Sequence, residues 1–169
     1  TNKFPIYEEG ESVYLGGIAL DITNLKKTED ALRESKDDLD KAQKIAHIGS
    51  WSRDLKTKQG LWSDEMYRIL GLTPGEPENP SHELFLSLVH PDDRERVASL
   101  LEKVTQRKSS YDLEFRTVPI NGSERIIRQQ GQVECDEKGL PVRRFGINQD
   151  ITEAKRLRDN LHKAQKMEA

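Results

Sequence analysis

Apolar and polar positions alternate along 111–118, YDLEFRTV, so that Leu113, Phe115 and Thr117 share one face of an extended strand. The same period of two runs through 124–135, ERIIRQQGQVEC, where Ile127, Gln129, Gly131 and Val133 share a face, and a third strand follows in 141–152, PVRRFGINQDIT. Upstream, GSWSRDL and QGLWSDE predict two shorter strands joined by the turn-prone KTKQ. Between the two groups the pattern becomes helical. Ser63 is placed to cap a helix with Asp64 and Glu65 in its first turn, running through Leu70 and closed by Gly71. After the loop LTPGEPENP, Ser81 caps a short helix holding Leu84, Phe85 and Leu88. A third helix starts after His90-Pro91, with Asp92 and Glu95 at capping-box spacing and Val97, Leu100, Leu101 and Val104 on one stripe. Two strands, several short helices and three strands describe an α+β domain, one antiparallel sheet with helices on one face.

Residues 24–48 are different: charged, free of Gly and Pro, with Leu25, Leu32, Leu39 and Ala46 at intervals of seven and Thr28, Ser35 and Ala42 three positions after the first three. That spacing is a two-stranded coiled-coil signature, and the competing reading is one amphipathic helix lying on its own domain. A polar helix of about 25 residues has little besides a partner to pack on. The segment is framed by a repeat. With Gly139 opposite Gly10, Val142 meets Val13, Gly146 meets Gly17, and Asp150-Ile151-Thr152 meets Asp21-Ile22-Thr23, a constant offset of 129. Repeats at that distance indicate whole domains in tandem. Residues 1–23 therefore read as the C-terminal hairpin of a preceding domain, 24–48 as a linker helix, 49–152 as a complete domain and 153–169 as an exit helix. In that exit helix Ala154, Leu157, Leu161 and Ala164 form a second seam.

Composition narrows the function. The 27 basic and 30 acidic residues are mixed along the chain, so no basic face for nucleic acid or anionic lipid is expected. No apolar run reaches the ~20 residues that span a bilayer, and the lone Cys135 forms no internal disulfide, which fits a cytoplasmic setting. Opening at Thr1 without Met, the chain reads as a piece of something longer. Catalysis is not expected of it: proline fixes the backbone beside His90, whose neighbours Asp92 and Asp93 suit a helix cap, and His47, His82 and His162 lack an i, i+4 histidine partner for zinc. Its glycines punctuate turns and form no phosphate loop.

Gly49-Ser50-Trp51, Trp62-Ser63-Asp64-Glu65, His90-Pro91-Asp92-Asp93-Arg94, Tyr111 with Glu114-Phe115-Arg116, Asp136 with Gly139 and Pro141, and the closing Asp150-Ile151-Thr152 together resemble a PAS domain of the fold-3 type found in bacterial multi-PAS sensor histidine kinases. The resemblance covers 49–152 in full and 3–23 as the tail of a preceding PAS domain. It implies a five-stranded sheet of order 2-1-5-4-3, a sensory or relay role, a homodimer through the linker helices (Leu25, Leu32, Leu39, Leu157 and Leu161), a kinase core in cis and a response regulator reached through the parent protein. KAQKMEA resembles the run into a histidine kinase's dimerising helix, which would begin at or just past Ala169. The parent is then either membrane-anchored elsewhere or soluble, and this stretch has no membrane contact of its own.

Flavin-binding relatives place Gly146 and Asn148 inward on the last strand. Phe115, Thr117, Ile127, Gln129 and Asn148 then face one chamber, a polar trio in apolar surroundings that suits a small ligand. The alternative is that Gln129 reaches solvent at the sheet edge and Asn148 satisfies a loop. The ligand itself stays unknown. The cysteinyl-flavin type needs a helical cysteine whereas Cys135 ends a strand, and the haem type needs a histidine that 94–107 does not contain. Asp150, Ile151 and Thr152, with Asp21 and Thr23 in the first copy, are the expected signal-coupling residues, with Thr152 as N-cap of the exit helix. Two other readings of the chain remain: a dimerising spacer without ligand, and a PAS module feeding a cyclic-dinucleotide synthase.

Overall fold

The computed structural model describes residues 20–167 in full and, within 1–19, the backbone of two strands. The chain divides into two compact units, Thr1–Leu39 and Asp40–Ala169. In the first, β1 (Asn2–Glu8) pairs antiparallel with β2 (Glu11–Ile18), the register stepping between Ile6 and Tyr7. Glu9 and Gly10, between the two strands, lie outside the described residues.

Helix α1 (Thr23–Ala46) opens where the first Asp-Ile-Thr ends. Asp21 Oδ1 accepts from the Thr23 N–H at 2.9 Å, and Ile22 C=O accepts from Lys26 N–H at 2.9 Å. The helix stops two residues short of the expected 48. His47 takes a left-handed φ of 51° and Ile48 is already paired with Gln149 in the sheet. The sheet thus starts at Ile48 rather than 49.

The second unit runs β3 (Ile48–Asp54), β4 (Gly60–Trp62), α2 (Asp64–Ile69), α3 (His82–Leu88), α4 (Pro91–Arg107), β5 (Tyr111–Arg116), β6 (Ile126–Cys135), β7 (Pro141–Asp150) and α5 (Thr152–Met167). Its five strands form one antiparallel sheet ordered β4-β3-β7-β6-β5, which is 2-1-5-4-3 counted within the unit. The expected α+β fold with helices over one face is what the chain adopts.

Local chemistry explains most boundaries. Ser63 Oγ accepts from Met66 N–H at 3.3 Å and from Ser50 N–H at 3.0 Å, so one hydroxyl caps α2 and pins it to β3. Ser81 Oγ accepts from Leu84 N–H at 3.0 Å at the head of α3. Helix α4 departs from expectation: its cap is His90, whose Nδ1 accepts from Asp92 N–H at 3.2 Å, with Pro91 in the first turn. Asp92 begins too far inside the helix to cap it. Its neighbour Asp93 instead clasps Arg116 on β5, accepting from the backbone N–H at 2.8 Å and from the guanidinium at 3.1 Å through each oxygen. The core lies between sheet and helices and is built from Trp51, Met66, Phe85, Leu101, Leu113 and Phe115 with their neighbours.

Candidate functional site

The sheet shows its helices a face that is not wholly apolar. On β5, Tyr111, Leu113 and Phe115 are buried and the residues between them exposed; on β6 the buried set is Ile127, Gln129 and Gly131. On β7 the alternation places Arg144 and Asn148 inside, with Gly146 between them. Gly131 faces Tyr111 on one side and Gly146 on the other. A Cβ on Gly131 would come within 2.6 Å of the Tyr111 ring, so the missing side chain is what lets that ring lie over the sheet.

A cavity of ≈30 Å³ sits under this ring, with Trp51, Phe85 and Leu101 as apolar wall and Tyr111, Gln129 and Arg144 as polar wall. Among the described residues, one buried polar atom of each of these three, Tyr111 Oη, Gln129 Oε1 and Arg144 Nε, has no hydrogen-bond partner. Burial pushes the Tyr111 phenol far above its ordinary value, so it stays protonated. Burial likewise holds the His82 imidazole at the rim below its ordinary value, with the positive charges of Arg144 and Arg53 acting in the same direction.

Of the five chamber residues expected from the sequence, only Gln129 lines this cavity. Phe115 and Ile127 are packed solid, the former edge-on to Phe85 at 5.6 Å. Thr117 is fully buried, but its Oγ1 accepts from Arg125 N–H at 3.1 Å and locks the β5–β6 turn. Asn148 Oδ1 accepts from the Trp51 indole N–H at 3.0 Å, which leaves only its Nδ2 without a partner. The alternative of a solvent-reaching Gln129 does not hold, since it is 3% exposed. Sequence reasoning missed Trp51, Tyr111 and Arg144. For Arg144 the signal was present: the strand parity that turns Gly146 and Asn148 inward turns Arg144 inward too.

At the far end of β7 the second Asp-Ile-Thr joins three elements. Asp150 Oδ1 accepts from the Thr152 N–H at 3.0 Å and from its hydroxyl at 2.5 Å, while Thr152 Oγ1 accepts from Ile126 N–H on β6 at 2.8 Å. Thr152 is therefore not the N-cap. It is the first residue of α5, its hydroxyl turned back to the sheet, and Asp150 is what receives the first free amide. Ile151 N–H donates to Ile126 C=O at 2.9 Å, and Ile151 C=O accepts from Lys155 N–H at 2.9 Å. Arg125, also missed, completes the junction: its Nη1 donates to the Arg68 and Ile69 carbonyls at the end of α2, at 3.0 and 2.9 Å, and its Nε lies 3.8 Å from Asp150 Oδ2. The proposed seam residues Leu25, Leu32, Leu39, Leu157 and Leu161 are all exposed in the single chain.

A five-stranded antiparallel sheet in this order, with helices over one face and a helix leaving its last strand, defines the class of domain. Residues 60–148 match the family described as PAS fold, and the chain belongs to the PAS family. It is 37% identical to the sensor protein FixL of Bradyrhizobium diazoefficiens over 114 residues, 68% of this chain and 22% of that protein. It is 27% identical over 155 residues to the probable diguanylate cyclase DgcE of Escherichia coli, 92% of this chain and 14% of that protein. The crystal structure of a sensory box histidine kinase/response regulator from Burkholderia thailandensis superposes with a TM-score of 0.60 and 30% identity, covering 75% of this chain and 93% of that one. The chain spans less than a quarter of the length of these two curated relatives. It is a PAS sensor domain related to those of sensor histidine kinases.

Proposed function

We propose that the chain is a cytoplasmic sensing and relay segment of a bacterial multi-PAS histidine kinase, acting as a parallel homodimer. A small molecule held under the sheet biases the packing of β6 and β7, and the Arg125–Asp150–Thr152 clasp carries that bias into α5 and onward to a kinase core in cis and its response regulator. The observation that supports this is the clasp itself, because one carboxylate receives both the first amide and the first hydroxyl of the outgoing helix while Arg125 stands between it and α2. In this reading 1–23 is the last hairpin of a preceding PAS domain, and the apolar seams of α1 and α5 meet their copies in the dimer. None of these steps asks a residue of this chain to do chemistry, and in this reading the phosphorylated histidine is part of the parent's kinase core.

Kinase assays on the parent carrying Asp150→Ala test the relay: the domain should stay folded while the output stops following the stimulus. Wild-type regulation by this variant would refute the role of the clasp. Native mass spectrometry of the purified protein tests the sensing half separately. The match to a probable diguanylate cyclase favours a second parent, a cyclic-dinucleotide synthase, and the codons after Ala169 distinguish the two.

A further inference from the structure

Arg144 is 7% exposed, and among the described residues no carboxylate stands within ion-pair distance of it. Its Nη1 donates to the Leu101 carbonyl at 3.1 Å and to Thr105 Oγ1 at 3.3 Å, both on α4. Among the described residues its Nε–H has no partner, and Arg144 lines a cavity together with Tyr111 and Gln129, whose Oη and Oε1 are likewise unpartnered. A guanidinium keeps its charge in any protein, and a buried cation with neutral partners on one side only is a costly arrangement. The positive charge of Arg53 makes it costlier. Arg53 and His82 line the same cavity, and Arg53, like burial itself, pushes the Arg144 guanidinium below its ordinary value.

The way in is also visible. Arg53, His82 and Arg144 line both the cavity and an open groove of ≈540 Å³ outside it, so two guanidinium groups and an imidazole held towards its neutral form stand where the two spaces meet. The cavity holds about two water-sized groups, enough for the head of a planar oxyanion and too little for a larger one. The groove itself carries both signs of charge, Arg53 and Lys58 beside Glu95 and Glu102.

We propose that this PAS domain binds a small monocarboxylate, its carboxylate seated in the cavity on Arg144 Nε–H and the Tyr111 hydroxyl, and its short tail lying in the groove past Arg53 and His82. The proposal deepens the sensory reading above and rests on it. One carboxylate oxygen accepts from the guanidinium and the other from the phenol, a charge-assisted pair that matches the two orphaned donors. The third orphaned atom, Gln129 Oε1, is an acceptor, so Gln129 serves the carboxylate only with its amide turned over to present the NH2 group. The site sits on β5, β6 and β7, so occupancy acts on the strand that ends in Asp150.

The test uses protein exchanged into chloride buffer and melted with propionate, and with propionamide as the neutral isostere, at matched ionic strength. Saturating propionate should raise the melting temperature by about 5 °C, and propionamide by much less. Arg144→Met should abolish the response and raise the melting temperature of the ligand-free protein, because an unpaired buried cation is gone; an arginine with a purely structural role would lower it. Tyr111→Phe keeps the ring and removes only the hydroxyl, and should weaken propionate roughly tenfold without destabilising the free protein. Equal shifts with propionate and propionamide, no shift with propionate, or a full shift in Tyr111→Phe would each overturn the proposal. A protein indifferent to carboxylates that carries a neutral molecule in native mass spectrometry would overturn the proposal while leaving the sensory reading in place.

Discussion

The two Asp-Ile-Thr junctions have the same sequence and different surroundings. Asp21 and Asp150 each receive the threonine amide, and Ile22 and Ile151 each accept from a lysine four residues on, so both helices start in the same way. Beyond that they part. Among the described residues the first junction makes only local bonds, and Ile22 is 46% exposed. The second adds Thr152 Oγ1 to Ile126 N–H, Ile151 N–H to Ile126 C=O, and Arg125 beside Asp150. A cap is written in three residues. A coupling needs a neighbouring strand to receive it.

The widest separation between the junctions concerns helix phase. KAQK begins at Lys41 and again at Lys163, 18 residues after Thr23 and 11 after Thr152, and the difference of 7 is one heptad. Removing one heptad leaves a coiled-coil seam facing the same way, whereas removing four residues turns it. In the parent kinase, deleting seven residues within 26–40 should preserve regulation, and deleting four should lock the output on or off. Equal behaviour of the two deletions would reduce the first helix to a tether.

Next in size is assembly. Leu32→Asp with Leu39→Asp puts charge into the proposed seam and should convert dimers to monomers in light scattering. An unchanged dimer would move the contact to the sheet.

The junctions themselves can be compared by mutation. Asp150→Ala removes two hydrogen bonds and a partner of Arg125 at a half-buried site, and should cost about 2 kcal/mol in denaturant unfolding. Asp21→Ala, fully exposed, should leave the unfolding midpoint of the second unit unchanged. Similar losses would mean that both motifs act only as caps.

The smallest effect belongs to a clasp of the second kind elsewhere in the fold. Hydrogen bonds from Arg116 hold the Asp93 carboxyl below its ordinary value. A carboxylate depressed on folding stabilises the protein above the ordinary carboxylate range, and that contribution is lost as pH falls through the lowered value. Asp93→Asn should therefore cost about 1 to 2 kcal/mol at pH 7, and its deficit relative to the parent sequence should shrink below about pH 4. A deficit that does not change with pH would assign the loss to shape rather than charge.

Strand parity on β5 and β6, the serine caps of α2 and α3, the Gly71 stop and the helix of α1 were legible because each depends on residues within a turn or a few positions of one another. The same locality misled at α4, where capping-box spacing pointed to Asp92. The proline lock and the His90 imidazole took the cap, and Asp93 was left free to reach a strand 23 residues away. The chamber was legible only in outline. Periodicity selected the inward faces, but which inward residues touch solid core and which touch space depends on the size of the group opposite. Phe85 fills the space against Phe115, while Gly131 yields room to Tyr111. By itself the sequence determined the elements, their order and the repeated helix starts, since these are short-range energies summed along one chain. Only the tertiary structure decided that Arg144 would be buried without a carboxylate and that Arg125 would stand between α2 and Asp150, because the environment of a charge is made by strands and helices distant in sequence.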